Sequence, residues 1–249
     1  MIASMAQRVG PGWLLVVPVR GLINGKSRLG PNPALRAAAI VAFTADTIEA
    51  ALASPSVQGL VVVSDDSHIH VIARKAGALA THEPSPDLGS HASTPASSGL
   101  SGLNAAVEHG ARFWVEQVHA TTTKAPLGIA ALLGDLPGLQ PSELTDALAL
   151  AELRARAHVP DADGTGTTLL TARWQEAHSG MGAQFGNDSS ARHCRAGVPP
   201  LQLPQLPELV GLRRDVDRLE DLDTLAAHHV GRHTEQLQQR SWVLPLLEA

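Results

Sequence analysis

Acidic side chains occur where the sequence predicts the ends of buried strands. Asp135 directly follows an apolar run and precedes a proline turn, while Asp215 and Asp217 lie far downstream. In an extended segment, alternate side chains share one face, so Asp215 and Asp217 would point the same way. The three aspartates could share Mg²⁺, which proteins bind through a few carboxylates together with substrate phosphates. The alternative is that Asp215 or Asp217 only caps a helix starting near Arg218.

A basic loop follows the first predicted strand. Arg20, Lys26 and Arg28 offer three cations that would suit a triphosphate, and the alternative is a solvated surface loop. The loop contains Gly-Lys-Ser, as phosphate-wrapping P-loops do, but its glycines are separated by three residues where that loop needs four. Pro31 and Pro33 would also interrupt the helix that should begin at Lys26. We therefore do not predict a P-loop.

Two glycine-rich segments are candidate anion sites. Residues 163–168 (DGTGTT) precede an apolar strand, and their N–H groups and hydroxyls would suit phosphate or carboxylate oxygens, although a tight hairpin turn is the alternative. Residues 185–193 (FGNDSSARH) are typical of a glycine loop entering a helix, whose N-terminus attracts anions.

Asp66 follows the second strand and could approach a bound nucleotide or cap the next helix. His228, His229 and His233 are interpreted as surface residues, since no zinc-like spacing accompanies them.

Strands and helices alternate along the chain. Short apolar runs predict strands covered on both faces, and apolar residues at helical spacing predict the helices between them. The predicted strands are 13–19, 60–63, 78–81, 129–133 and one at 169–170, and the predicted helices are 33–54, 67–76, 103–118 and about 142–157. This order predicts an α/β domain with a mostly parallel sheet and helices on both faces. Ligands bind such sheets at the carboxyl ends of the strands.

The domain boundaries follow from the same pattern. We expect a flexible N-terminus over 1–12, one domain over 13–235 and a C-terminal tail over 236–249. Residues 83–101 are rich in Ser, Pro, Gly and Ala, and predict a mobile loop within the domain. The sequence indicates no oligomeric state.

Composition excludes several classes of protein. Of the 249 residues, 44% are hydrophobic and 17% are charged, which excludes disorder throughout. The net charge of −5 would repel a polyanionic backbone, so nucleic acid is not an expected partner. Cys194 is the single cysteine, which excludes an intrachain disulfide and favours a reducing, cytoplasmic setting. No apolar stretch is long enough to span a membrane, and no export signal is predicted.

Seven segments, taken in chain order, resemble one family. The resemblance covers roughly residues 13–235 and rests on VVPVRGLINGKSRL, VVVSDD, SGLNAA, LLGDLPGL, ADGTGTTLL, FGNDSSARH and LRRDVDRLEDL. Together they are similar to the guanylyltransferases that activate 2-phospho-L-lactate or phosphoenolpyruvate in biosynthesis of the deazaflavin coenzyme F-420. The resemblance implies a nucleotidyltransferase with a Rossmann-like, glycosyltransferase-A-type core and a mixed, mostly parallel sheet.

The resemblance also implies roles for individual residues. Mg²⁺ would be held by Asp135, Asp215 and Asp217, and the phosphate and carboxylate of the three-carbon acid by Thr167, Gly186 and Ser189. GTP would be faced by Lys26, Arg28 and Asn104, and the positions of Arg20 and Asp66 after the first two strands add these two residues to the expected nucleotide site. Asp135, Lys26 and Arg28 would act in catalysis, the two cations on the leaving pyrophosphate. Arg20 stands where the family commonly has lysine, which keeps the charge and changes its geometry.

The expected reaction is nucleotidyl transfer. A phosphate oxygen of the acid would attack the α-phosphorus of GTP and pyrophosphate would leave, with no catalytic base because the phosphate is already ionised. Actinobacterial members of the family are understood to use phosphoenolpyruvate. The Ala-rich sequence, with Arg exceeding Lys, is typical of a high-GC bacterium and favours that acid. The alternatives are 2-phospho-L-lactate, another phosphorylated small molecule, or a nucleotide-binding regulator without activity.

Overall fold

The central strand shows why the sheet is buried on both sides. In β1 (Trp13–Pro18) all six residues are buried. Trp13, Leu15 and Val17 enter one hydrophobic cluster, while Leu14 and Val16 enter another on the opposite face. This alternation follows from the twofold period of side chains along a strand. The continuous apolar run therefore belongs to a strand with a core on each side, as the sequence predicts.

The computed structural model describes residues 11–20, 29, 32–84, 102–121, 125–202, 209–226 and 228–247. Its six-stranded sheet has the order β3-β2-β1-β4-β6-β5. The strands after β1 are β2 (Val57–Val63), β3 (Leu79–Thr81), β4 (Gly128–Leu132), β5 (Arg156–Pro160) and β6 (Thr167–Arg173). The pairs β1–β2, β1–β4 and β2–β3 are parallel, whereas β6 is antiparallel to both β4 and β5. The mixed, mostly parallel sheet predicted from the sequence is confirmed.

Helices cover both faces of this sheet. They are α1 (Pro33–Ala53), α2 (Ser67–Ala76), α3 (Gly102–Thr121), α4 (Pro141–Ala151), α5 (Trp174–Ala177), α6 (Ser189–Arg195), α7 (Val210–Arg213), α8 (Leu219–Ala226) and α9 (Arg232–Leu247). Helices α1, α2 and α4 pack on one face, and α3 and α5 on the other. In the part of the chain that the structure describes, no helix combines the length and apolar character that crossing a membrane requires.

The start of α1 follows directly from the sequence. Asn32 is the N-cap, and its side chain accepts hydrogen bonds from the N–H groups of Ala34 (2.9 Å) and Leu35 (3.2 Å). Pro33 occupies the first helical position, where the missing N–H costs nothing. These two residues satisfy the helix start, and the predicted boundary is confirmed.

The region after α4 differs from the sequence expectation. The helix was expected to continue to residue 157, but it ends at Ala151, and Arg156 begins β5. Strand β5 pairs antiparallel with β6, so that Ala157 and Val159 become fully buried. Tertiary pairing here outweighs a helical spacing that the local sequence also permits.

The C-terminal segment is helical where a tail was expected. Helix α9 begins at Arg232 and extends to Leu247, so residues 236–247 continue it. Its first turn is held by Asp46 of α1, whose carboxylate accepts from the N–H of His233 (3.0 Å) and from the N–H of Thr234 (2.9 Å). The cap comes from a residue 187 positions away, which explains why local sequence did not indicate it.

Candidate active site

A cavity of about 550 Å³ opens at the carboxyl ends of β1 and β4. Strand β6 starts at the same edge, because it runs antiparallel to β4. Polar and glycine residues from six segments line the cavity: Arg20, Thr44, Gly134, Asp135, Asp161, Thr165, Gly166, Thr167, Thr168, Gly186, Asn187, Asp188, Ser189, Asp215 and Asp217. The position is the one that an open α/β sheet offers for ligands.

Asp135 is fixed by the turn that follows β4. The N–H of Leu133 donates to the carbonyl of Thr168 (3.0 Å), which extends the pairing with β6 beyond the end of the strand. A side chain at Gly134 would come within 2.8 Å of Val19, so glycine permits the close approach. The N–H of Leu136 donates to the hydroxyl of Thr47 on α1 (3.0 Å). The backbone on both sides of Asp135 is therefore held by neighbouring elements.

A distant segment joins this turn through the main chain. The N–H of Val216 donates to the carbonyl of Asp135 (3.1 Å), and the Val216 side chain is fully buried. Asp215 and Asp217 flank this anchor. Asp221, the third residue of α8, accepts from the N–H groups of Asp217 (2.9 Å) and Arg218 (2.7 Å). These bonds tie the segment that carries Asp217 to the start of the helix.

Three carboxylates converge at this point. One oxygen from each of Asp135, Asp215 and Asp217 lies within 4.8 Å of the other two. Asp135 and Asp215 are half-buried and Asp217 is exposed. Three like charges at this separation repel one another unless a cation lies between them. The donors are all hard carboxylate oxygens, without nitrogen or sulfur, which fits a cation of the Mg²⁺ or Mn²⁺ type.

The β5–β6 turn forms part of the cavity wall. Asp161 at the end of β5 accepts hydrogen bonds from the N–H groups of Thr165 (2.9 Å) and Gly166 (2.7 Å). This closes the hairpin and delivers Thr167 to the cavity wall at the start of β6. Residues 163–168 therefore form a hairpin turn, of which residues 165–168 line the cavity.

The loop before α6 is fastened on several sides. Asn104, buried on α3, holds the backbone of Phe185 twice: its Oδ1 accepts from the Phe185 N–H (2.7 Å), and its Nδ2 donates to the Phe185 carbonyl (3.2 Å). Arg192 also donates to that carbonyl (2.9 Å). Gly186 has φ +117° and lines the cavity, a conformation that side chains other than glycine rarely adopt. The loop is thus held in one conformation by α3 and α6.

Ser189 begins α6 and faces the cavity while buried. Its N–H donates to the carbonyl of Gly186 (3.1 Å) within the loop. The sequence suggested that the start of this helix offers N–H groups to an anion. At Ser189 the loop already uses that N–H, so its hydroxyl is the better candidate for a ligand contact.

Two buried histidines lie behind these loops. His193 Nδ1 lies 3.0 Å from the Thr167 hydroxyl, and its Nε2 lies 3.0 Å from the Gln184 nitrogen. His158 lies beside it, with ring centroids 5.3 Å apart. Burial lowers the pKa of His193 to about 4, and the neighbouring His158 and Arg192 add to this effect. Burial also lowers the pKa of His158. Both rings are therefore neutral near pH 7.

The remaining predicted residues have different positions. Arg20 is exposed at the end of β1 and lines the cavity. Lys26 and Arg28 lie outside the described residues. Asp66 is the N-cap of α2 and accepts from the His68 N–H (2.9 Å). Asp66 and Asn104 are not among the described residues that line the cavity, and their contact with a nucleotide stays a prediction.

Sequence reasoning missed Asp161, His158 and His193. Asp161 carries a recognisable signal, since an aspartate before a Gly-Thr-Gly turn often accepts from the turn's N–H groups. The histidines carry none, because nothing in their local sequence indicates that β5 and α6 pack together.

The fold is shared with nucleotidyltransferases of known structure. A nucleotidyl transferase from Methanothermobacter matches with a TM-score of 0.53 at 15% identity, covering 88% of this chain and 100% of that one. The structure of 4-diphosphocytidyl-2C-methyl-D-erythritol synthase matches with a TM-score of 0.50 at 13% identity, covering 88% and 99%. These likenesses establish the fold. No family model matches the sequence.

Sequence relatives identify the family. The phosphoenolpyruvate guanylyltransferase of Geodermatophilus obscurus is 40% identical over 232 residues, covering 90% of this chain and 93% of that protein. The enzyme of the same name from Streptomyces coelicolor is 40% identical, covering 92% and 96%. That of Streptosporangium roseum is 34% identical, covering 96% of both chains. The chain belongs to the phosphoenolpyruvate guanylyltransferase family.

Proposed function

We propose that this protein joins the GMP part of GTP to phosphoenolpyruvate and releases pyrophosphate. The product would be enolpyruvoyl-2-diphospho-5'-guanosine, an intermediate of coenzyme F-420 biosynthesis in the cytoplasm. The observation that carries the proposal is the meeting of three carboxylates, a β-hairpin turn and a glycine loop around one cavity. The names of the relatives support the choice of both substrates.

The chemistry explains why the site contains no nucleophile–base pair among its proposed residues. The attacking group is a phosphate oxygen that is ionised near neutral pH, so no base is needed to activate it. The difficulty is the repulsion between two polyanions and the charge that builds on the leaving pyrophosphate. Both are reduced by positioning and by positive charge near the reacting phosphates.

We assign Mg²⁺ to Asp135, Asp215 and Asp217. When bound there, the ion would neutralise charge on the phosphates and orient them. The protein supplies the rest: Arg20, Lys26 and Arg28 would bind the triphosphate, and Lys26 and Arg28 would stabilise the leaving group. Thr167, Gly186 and Ser189 would bind the acid.

Product analysis tests this function. The protein is incubated with GTP, Mg²⁺ and phosphoenolpyruvate, and the products are identified by mass spectrometry. We expect pyrophosphate and the mixed diphosphate of GMP and the acid. Parallel reactions with 2-phospho-L-lactate and with CTP, ATP or UTP measure preference for acid and base. GTP binding without pyrophosphate release from any acid would contradict the proposal and indicate a binding protein.

A further inference from the structure

The hydrogen bonds around His193 determine which ring nitrogen carries the proton. The backbone N–H of Gln184 can only donate, so His193 Nε2 accepts from it at 3.0 Å. A neutral imidazole has one N–H, which must then be on Nδ1. That N–H faces the Thr167 Oγ1 at 3.0 Å and donates to it. The ring is fully buried, which opposes a second proton.

The direction of this bond fixes the role of the Thr167 hydroxyl. Its oxygen accepts from His193, so the hydroxyl proton is directed to another acceptor. In the part of the chain that the structure describes, the Oγ1 hydrogen bond is with His193. Thr167 lines the cavity and is 3% exposed. A ligand in the cavity is therefore placed to receive the proton.

The neighbouring histidine has the same tautomer but meets its hydroxyl with the other ring nitrogen. His158 Nδ1 lies 3.1 Å from the Val198 carbonyl, which can only accept, so Nδ1 carries the proton. Nε2 of His158 then accepts from the Ser190 hydroxyl at 3.0 Å. His158 thus accepts the hydrogen bond of the Ser190 hydroxyl. His193 donates to the Thr167 hydroxyl, so the proton of that hydroxyl stays available for another acceptor. The two rings are 5.3 Å apart and are not interchangeable.

We propose that His193 is a positioning residue that makes Thr167 an obligatory hydrogen-bond donor to an anionic oxygen of the substrate. The identity of that substrate as a phosphorylated carboxylic acid rests on the proposed function. A carboxylate or phosphate oxygen has only lone pairs to offer and fits such a donor. An ammonium group or amide N–H at the same place could use only the second lone pair of Oγ1 and would leave the hydroxyl proton without an acceptor. His193 therefore acts on specificity through Thr167 and does not touch the substrate.

Steady-state kinetics of paired variants test the inference. His193→Gln keeps an acceptor near Nε2 and loses the donor to Thr167, whereas His193→Asn keeps a donor near Nδ1. Since a hydrogen bond to a charged group is strong, we expect His193→Gln and Thr167→Val each to raise the KM for phosphoenolpyruvate by roughly tenfold or more. The KM for GTP should change by less than about twofold. His193→Asn should recover most of the loss, and the exposed His228→Gln is the matched control.

A double variant distinguishes coupling from general damage. If His193 acts through the Thr167 hydroxyl, His193→Gln should have little further effect on the KM for the acid in the Thr167→Val background. Fully multiplicative effects of the two substitutions would overturn the inference. Equal increases in the KM for GTP and for the acid would also overturn it.

NMR of the wild-type protein tests the direction of the hydrogen bond between His193 and Thr167 without an activity assay. In ¹⁵N-histidine-labelled protein at pH 7, we expect a neutral His193 ring with the proton on Nδ1. The Nε2–H tautomer or an imidazolium would overturn the inference even if the protein makes product. Conversely, an Nδ1–H ring in a protein that makes no product would contradict the proposed function and leave the donor role of Thr167 standing.

Discussion

The three aspartates place like-charged groups close together, and a bound cation would offset their mutual repulsion. They lie within 4.8 Å of one another and come from segments 80 residues apart in the sequence. An amide of the same shape would keep the packing and lose the charge. This makes Asp-to-Asn substitutions the most direct probe of the site.

Loss of a carboxylate of the proposed metal site should slow the reaction strongly. We expect Asp135→Asn or Asp217→Asn to lower turnover by about a hundredfold or more, because a metal ligand supplies several kcal/mol of charge stabilisation. Pyrophosphate release measures the effect. Asp223→Asn, an exposed change on α8, is the matched control. Near-normal rates for both site variants would exclude the metal assignment.

The buried His193 should make stability depend on pH. Its pKa is about 4 in the folded protein, below its ordinary value of 6.5, so the unfolded chain binds more protons between these limits. Above pH 6.5 the ring therefore does not reduce the free energy of unfolding. As the pH falls from 6.5 towards 4, the unfolded chain takes up the proton first, and the free energy of unfolding decreases. His158 acts in the same direction, whereas the raised pKa of Asp46 acts in the opposite one.

The comparison of wild type with His193→Gln isolates this contribution. Urea unfolding at several pH values between 4 and 7 should show a smaller loss of stability in the variant than in wild type over that interval. Parallel pH profiles for the two proteins would mean that the ring is accessible to protons in the folded state.

Among the helices and strands, the sequence predicts those whose boundaries depend on neighbouring residues. Asn32 and Pro33 define the start of α1, and the apolar run of β1 identifies a central strand. Asp135 could be located because it directly follows an apolar strand. The strand β5 and the cap that Asp46 provides for α9 depend on partners remote in sequence. His193 and Thr167 also come together only when the chain packs, and the spacing of residues in the sequence does not indicate this contact.

The attachment of α9 to α1 should contribute measurably to stability. Asp46 accepts from two N–H groups and from the Thr234 hydroxyl (2.6 Å), so Asp46→Ala leaves several donors without their acceptor. We expect a loss of about 1 to 3 kcal/mol in the free energy of unfolding. Glu49→Ala removes a solvent-exposed ion pair with Arg232, which solvent screens, and should therefore cost clearly less than Asp46→Ala. Equal losses in urea unfolding would refute the capping argument.

The conformation of the β5–β6 turn should affect the affinity for the acid substrate. Asp161→Ala removes the acceptor for the N–H groups of Thr165 and Gly166 and frees the segment that delivers Thr167. We expect the KM for the acid to rise by roughly tenfold, with a smaller effect on GTP. Asp163→Ala, exposed on the same turn, provides the control. A larger effect of Asp161→Ala on the KM for GTP would show that the turn serves the nucleotide.

For the whole molecule, ligand binding should couple to global stability. A ligand at a hundred times its Kd adds about 2.7 kcal/mol, and for a chain of this size each kcal/mol raises Tm by roughly 2 to 4 °C. Mg²⁺ with a non-hydrolysable GTP analogue should therefore raise Tm by roughly 5 to 10 °C. Chelation of the metal should reverse most of the increase, and Asp135→Asn should abolish it. An unchanged Tm in wild type would contradict metal-assisted nucleotide binding.

The main-chain bond from Val216 to Asp135 has a consequence for how the protein is made. Every strand of the sheet has been synthesised by residue 173, but two of the three clustered carboxylates follow more than 40 residues later. A nascent chain interrupted in this interval would have all strands of the sheet but only one of the three carboxylates of the proposed cation site. Under the proposed function, a polypeptide released at this stage would consume no nucleotide.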